Sequence, residues 1–145
     1  MLIVDDDPVV LSLLRRGFEG AGMEVITAED GRSGLRQLID HLLDLDLLIT
    51  DLRMPDLDGP ALVRIVRAEG GEKELPILVL AGAISARDRD LLERLGVNAL
   101  VEKSAGADHV IERAMQLVAE VRLRRDPAPR NPELADELGR TIAER

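Results

Sequence analysis

Leu47-Leu48-Ile49-Thr50-Asp51, continuing into Leu52-Arg53-Met54-Pro55-Asp56-Leu57-Asp58-Gly59-Pro60, sets the reading of the whole chain. The apolar run is continuous rather than alternating, which suits a strand covered on both faces of a parallel sheet. It stops at a carboxylate. Asp58-Gly59-Pro60 then opens a helix in which Leu62, Ile65 and Val66 repeat with the helical period. Outward from this unit the alternation recurs. Leu2-Ile3-Val4 ends at Asp5-Asp6-Asp7, Met23 to Thr27 is a second run, Ile77 to Ala81 follows Pro76, and Ala99-Leu100-Val101 ends at Glu102-Lys103. Helical stripes lie between them: Val10, Leu13, Leu14, Gly17 and Phe18; Leu35, Leu38, Ile39 and Leu42; Leu91, Leu92 and Leu95; Ile111, Ala114, Met115, Val118 and Val121. Asp7-Pro8 reads as N-cap and first helical residue, Ser85 to Asp88 as a capping box, and Gly20 or Gly22 as a helix stop.

Five strands, each followed by a helix, predict an α/β fold in which right-handed crossovers put helices on both faces of one parallel sheet. The length excludes a barrel of eight such units. The remaining common arrangement is a doubly wound, five-stranded, flavodoxin-like sheet of order 2-1-3-4-5. These units occupy residues 1–125. Asp126 to Pro132 holds three prolines and reads as a semi-rigid linker. Residues 126–145 are thus a Pro-containing linker and a short C-terminal helix with Leu134, Leu138 and Ile142 on one stripe. That stripe has three readings: it folds back on the domain, pairs in a homodimer, or begins an output domain.

Composition narrows the function. Of 145 residues 46% are hydrophobic and 32% charged, enough for a core and against general disorder. Cysteine is absent, which excludes disulfides, thiol nucleophiles and thiolate metal sites. A net charge of −9 argues against nucleic acid and anionic membrane surfaces as partners. Phe18 is the single aromatic residue, so no base-stacking platform can be built. No apolar run is long enough to span a bilayer and the amino terminus is no secretory signal, so the expected location is the cytoplasm. His41 and His109 stand isolated, and neither is a candidate catalyst.

In an open α/β sheet, ligands bind beyond the carboxyl ends of the strands. For the expected strand order, Asp5 and Asp6, Asp51 and Lys103 converge there. Three carboxylates packed together repel unless a cation joins them. Oxygen-only ligands select a hard ion, Mg²⁺ above all, and Mg²⁺ beside a lysine makes a phosphate site. One carboxylate is then free to act as nucleophile or acceptor.

LIVDDDP, DLLITDLRMPDLDG, LPILVLAGA and ALVEKS together resemble the receiver domain of two-component response regulators, over residues 2 to about 122. The resemblance implies that Asp51 is the phosphoacceptor. It implies that Asp6 touches Mg²⁺ directly and Asp5 largely through water, that Arg53 lends its backbone carbonyl to the metal, and that Lys103 pairs with the phosphoryl group. The implied phosphate donor is a sensor histidine kinase or a histidine phosphotransfer protein. The implied output is a separate partner or a fused domain, reached through the face of the fourth helix, fifth strand and fifth helix. The chain departs from the pattern at Ala81, where Thr or Ser normally bonds the phosphoryl oxygen, at Ser104, where Pro is usual, and at Leu100, where an aromatic residue is usual. Arg53 and Ala83 hold the positions that tune acyl-phosphate hydrolysis in the family; Ala83 cannot orient a water, while Arg53 is free to reach the phosphoryl group. These departures leave a second reading open, a pseudo-receiver scaffold that works without phosphate. A haloacid-dehalogenase-like, Mg²⁺-dependent phosphatase also uses an aspartate nucleophile but needs an acid two residues on, where Arg53 stands. The expectation is therefore a phosphoacceptor domain rather than an enzyme. The short lead before the first strand suggests a trimmed chain or a misassigned start.

Overall fold

The computed structural model describes residues 1–69 and 74–125; the linker and tail expected at 126–145 lie outside the described residues. Along the chain run β1 (Leu2–Val4), α1 (Pro8–Gly20), β2 (Ile26–Ala28), α2 (Gly31–His41), β3 (Leu48–Asp51), α3 (Gly59–Glu69), β4 (Ile77–Ala81), α4 (Ala86–Arg94), β5 (Ala99–Glu102) and α5 (Ala107–Arg125), with one 3₁₀ turn at Lys103–Ala105. The strands pair in parallel in the order β2-β1-β3-β4-β5, as the sequence predicts.

The continuous apolar runs are explained by two cores, one on each face. Successive strand residues point to opposite sides. Leu2, Val4, Leu48, Ile77 and Val79 pack beneath α2, α3 and α4 with Leu38, Leu62, Val66 and Leu92. Ile3, Ile49, Leu78 and Leu80 pack beneath α1 and α5 with Leu14, Phe18, Val110 and Leu117. The helix starts follow the local chemistry. The Asp7 carboxylate accepts from the Val9 N–H at 2.9 Å, and Asp58 accepts from the Ala61 N–H at 3.0 Å. Ser85 and Asp88 close a complete capping box on α4. Past Ala21, the cap residue of α1, Gly22 turns the chain out with φ +85°, a backbone shape that favours glycine.

Two expectations shift. The second strand covers Ile26–Ala28, not Met23–Thr27, because Ile26 is the residue opposite Leu2; Met23 and Val25 instead pack against the α1/α5 core on the way in. The stripe of α1 is rotated. Leu11, Leu14 and Phe18 face the sheet while Leu13 is 51% exposed, and on α2 Ile39 is 70% exposed. A helix over a sheet edge covers a narrower arc than its full apolar stripe, and periodicity does not say which flank is left out.

Candidate functional site

β1 and β3 run side by side with Val4 opposite Thr50, so the residues beyond each strand emerge at one edge of the sheet. Asp5 follows β1, Asp51 closes β3 and Lys103 follows β5. The four side chains singled out at the strand ends meet there. Oxygens of Asp5, Asp6 and Asp51 lie within 4.8 Å of one another. The Lys103 ammonium donates to Asp5 Oδ1 at 3.2 Å and to Asp51 Oδ2 at 3.2 Å, and stands 2.9 Å from Asp5 Oδ2. Asp5 is fully buried, Asp51 is buried with a 5% opening, and Asp6 is exposed. Gly59 permits this layout: a Cβ there would collide with the backbone oxygen of Asp51, so only glycine lets α3 start so close to β3.

The charges do not balance. Ionised, three carboxylates and one ammonium sum to 1 − 3 = −2. Two like charges ~4 Å apart repel by ~4 kcal/mol at an effective dielectric of 20. Burial first, and then the Asp5 charge, push the Asp51 carboxyl up to about 6, against the pull of Lys103. Burial alone would lower the Lys103 ammonium; hydrogen bonding and charge from Asp5, and then from Asp51, outweigh it and hold the ammonium above its ordinary value. Asp5 Oδ1 also accepts from the Asp7 N–H at 2.9 Å, but the buried Oδ2 accepts no hydrogen bond. A buried carboxylate oxygen without a donor is costly, and the ion-pair contact of Lys103 offsets only part of that cost. An excess of negative charge, an oxygen left without a donor and an all-oxygen ligand set with one exposed member fit a hard divalent cation that keeps some of its water.

Asp51 is reachable. It opens into a cavity of about 410 Å³ walled by Ala81, Gly82, Ala83, Ser85 and Lys103. No side-chain hydroxyl lies on β4 here, since Ala81 ends that strand. Ser85 is on the wall, but its oxygen already accepts the Asp88 N–H at 3.0 Å as the cap of α4. The Lys103–Ser104 segment coils into the 3₁₀ turn, and no cis peptide bond occurs among the described residues.

Arg53 follows Asp51 by two residues, yet its guanidinium turns to the cavity rim. It donates to the two oxygens of Asp88 at 3.1 and 3.4 Å. Asp88 is itself held below the usual carboxylate range by its hydrogen bonds with Ser85, with help from Arg53. The sequence presents Asp88 only as the last residue of a capping box. The pair spans 35 positions, and no local pattern announces it.

The comparisons agree with this architecture. The family model for the response regulator receiver domain matches residues 1–115. The transcriptional regulatory protein PrrA of Mycobacterium tuberculosis is 39% identical over 89 residues, which are 61% of this chain and 36% of PrrA. A protein described as a probable transcriptional regulatory protein of Picosynechococcus is 32% identical over 123 residues, 81% of this chain and 48% of that protein. The chain thus spans half or less of the length of these curated relatives. Among solved structures, chemotaxis protein CheY4 of Vibrio cholerae superposes with a TM-score of 0.73 at 27% identity, covering 80% of this chain and 95% of that one. The receiver domain of Francisella response regulator 1452 gives 0.72 at 27%, covering 82% and 95%. With 115 of its 145 residues matched to one family and 80% of its length superposed on a solved member, this chain belongs to the response regulator receiver domains of two-component signalling.

Proposed function

We propose that Asp51 is the phosphoacceptor of this receiver. The observation that carries the reading is a buried carboxylate, flanked by two further carboxylates and a lysine, that nonetheless opens into a cavity large enough for a phosphoryl group. With its carboxyl at about 6, Asp51 is mostly ionised at neutral pH and can act as a nucleophile. Its oxygen attacks phosphorus in line, the O–P bond forms, and the N–P bond to a donor phosphohistidine breaks as the imidazole leaves. The donor is a histidine kinase or a histidine phosphotransfer protein. Lys103 neutralises charge on the phosphoryl oxygens, and the protein's part is otherwise placement. Asp5, Asp6 and Asp51, with the Arg53 backbone carbonyl, are the residues that would hold Mg²⁺, whose contribution is charge neutralisation at the phosphoryl group. Residues 1–125 form the receiver and 126–145 lead from it. The regulatory relatives suggest that the wider protein acts through an output domain or partner.

The test is intact-mass analysis after incubation with acetyl phosphate and Mg²⁺. One phosphoryl mass is expected on the wild type and none on Asp51→Asn. An unmodified wild type, or a labelled Asp51→Asn, ends the proposal. A second reading, a scaffold that works without phosphate, is favoured by one observation: Ala81 offers the bound group no hydroxyl. Equal partner binding by the wild type and Asp51→Ala, with and without acetyl phosphate, would support it. A phosphatase reading has no general acid, because the side chain two residues after Asp51 is a guanidinium already engaged with Asp88.

A further inference from the structure

From the bridge across the cavity rim we infer that Arg53 is the residue through which a phosphoryl group on Asp51 is felt by α4, and that Asp88 is its positioning residue, holding the guanidinium until phosphate competes for it. The inference rests on the phosphoacceptor reading of Asp51. Arg53 belongs to the loop after β3, Asp88 to the first turn of α4, and both line the cavity into which Asp51 opens. The guanidinium grips Asp88 by two contacts, 3.1 and 3.4 Å, from a side chain that is 77% exposed and so has room to turn. The same carboxylate completes the cap of α4: Asp88 Oδ2 accepts from the Ser85 N–H at 3.4 Å, while Ser85 Oγ accepts from the Asp88 N–H at 3.0 Å.

Charge decides which anion Arg53 prefers. Asp88 offers one negative charge that a backbone donor already shares. A phosphoryl group offers about two, on three acceptor oxygens, and guanidinium pairs with phosphate through paired hydrogen bonds. The other wall of the cavity is Ala81, Gly82 and Ala83, which supply no side-chain donor. Lys103 already serves Asp5 and Asp51. Arg53 is thus the lining cation whose present partner, a carboxylate only 16% exposed, still accepts from the Ser85 N–H once the guanidinium leaves. Exchange frees Asp88 from the loop after β3 and loosens the first turn of α4. The coupling is modest by construction, since an ion pair whose guanidinium is 77% exposed is worth only about a few-fold in an equilibrium.

Hydrogen exchange of the wild type and Arg53→Ala, each with and without acetyl phosphate and Mg²⁺, tests the inference, with intact mass read on the same samples. Arg53→Ala removes the bridge without altering either residue of the Ser85–Asp88 cap. In the wild type, phosphorylation should speed exchange at the amides of Asp88 and Arg89 about two- to fivefold. In Arg53→Ala those amides should exchange at the faster rate from the start and change little when phosphate is added. If phosphorylated Arg53→Ala speeds up as the wild type does, or the phosphorylated wild type keeps the slow rate, the inference is overturned although Asp51 is the acceptor. If the wild type gains no mass, both readings fall together, so the mass separates the two failures.

Discussion

At the scale of single residues the site is a charge that the fold tolerates rather than welcomes. Folded Asp51 holds its proton more tightly than the unfolded chain does, with its carboxyl raised from 3.8 to about 6. Its contribution therefore favours folding below about 3.8 and is lost as pH rises through about 6. Asp51→Asn should stabilise the metal-free protein by about 1–2 kcal/mol near neutral pH, a value reduced for the water in the cavity, and by nearly nothing near pH 4. Urea midpoints at the two pH values measure this; equal gains at both would show that the carboxylate is not the source. Ala81 invites the opposite change. Ala81→Thr puts a donor on the bare wall of the cavity, where one hydrogen bond is worth ~0.5–1.5 kcal/mol. Beryllofluoride titrated in the presence of Mg²⁺ should bind the variant about two- to tenfold more tightly, and unchanged affinity would mean that the residue 81 position does not face the bound group.

Among elements, one side chain ties three together on the edge of the sheet opposite the site. Arg67, in the last turn of α3, donates to the Gly96 carbonyl at 2.7 and 3.2 Å, to the Leu75 carbonyl at 2.7 Å and to Asn98 Oδ1 at 2.9 Å. Asn98 Oδ1 in turn accepts from the Ile77 N–H at 2.8 Å. Arg67→Ala should cost about 2–3 kcal/mol in chemical denaturation, because the Leu75 and Gly96 carbonyls lose the guanidinium at once and Asn98 Oδ1 keeps only the Ile77 N–H. A loss near zero would mean that water replaces the guanidinium. Elements also show what was legible in advance. The runs at Leu47–Thr50 and Ile77–Ala81 announced strands covered on both faces, and Asp7, Asp58 and Ser85 announced helix starts, because these signals are local. Asp5, Asp51 and Lys103 could be placed together because strand ends in this topology share an edge. The inward face of α1 could not be placed, since the flank covered depends on where α5 lies. Arg67 with Gly96, and Arg53 with Asp88, were hidden because each pairs distant positions through long side chains that no periodicity constrains.

For the molecule as a whole, the excess charge at one edge makes divalent cations a lever on stability. A cation that binds the folded state at ten times its dissociation constant adds ~1.4 kcal/mol, which for a chain of this size raises Tm by about 4–6 °C. Mg²⁺ should therefore raise the melting temperature of the wild type near pH 7 and much less near pH 5, where Asp51 is largely protonated. Calorimetry with and without Mg²⁺ checks both arms, and an increment that persists in Asp6→Ala would point to a site elsewhere. Phe18, fully buried between α1 and the sheet, has a consequence for such experiments. With neither tryptophan nor tyrosine in the sequence, the protein is optically silent in the near ultraviolet where proteins are usually followed. One indole introduced in place of Leu100, beside the groove between α4 and β5, would shine against a dark background, and every change in its emission would report on that groove alone.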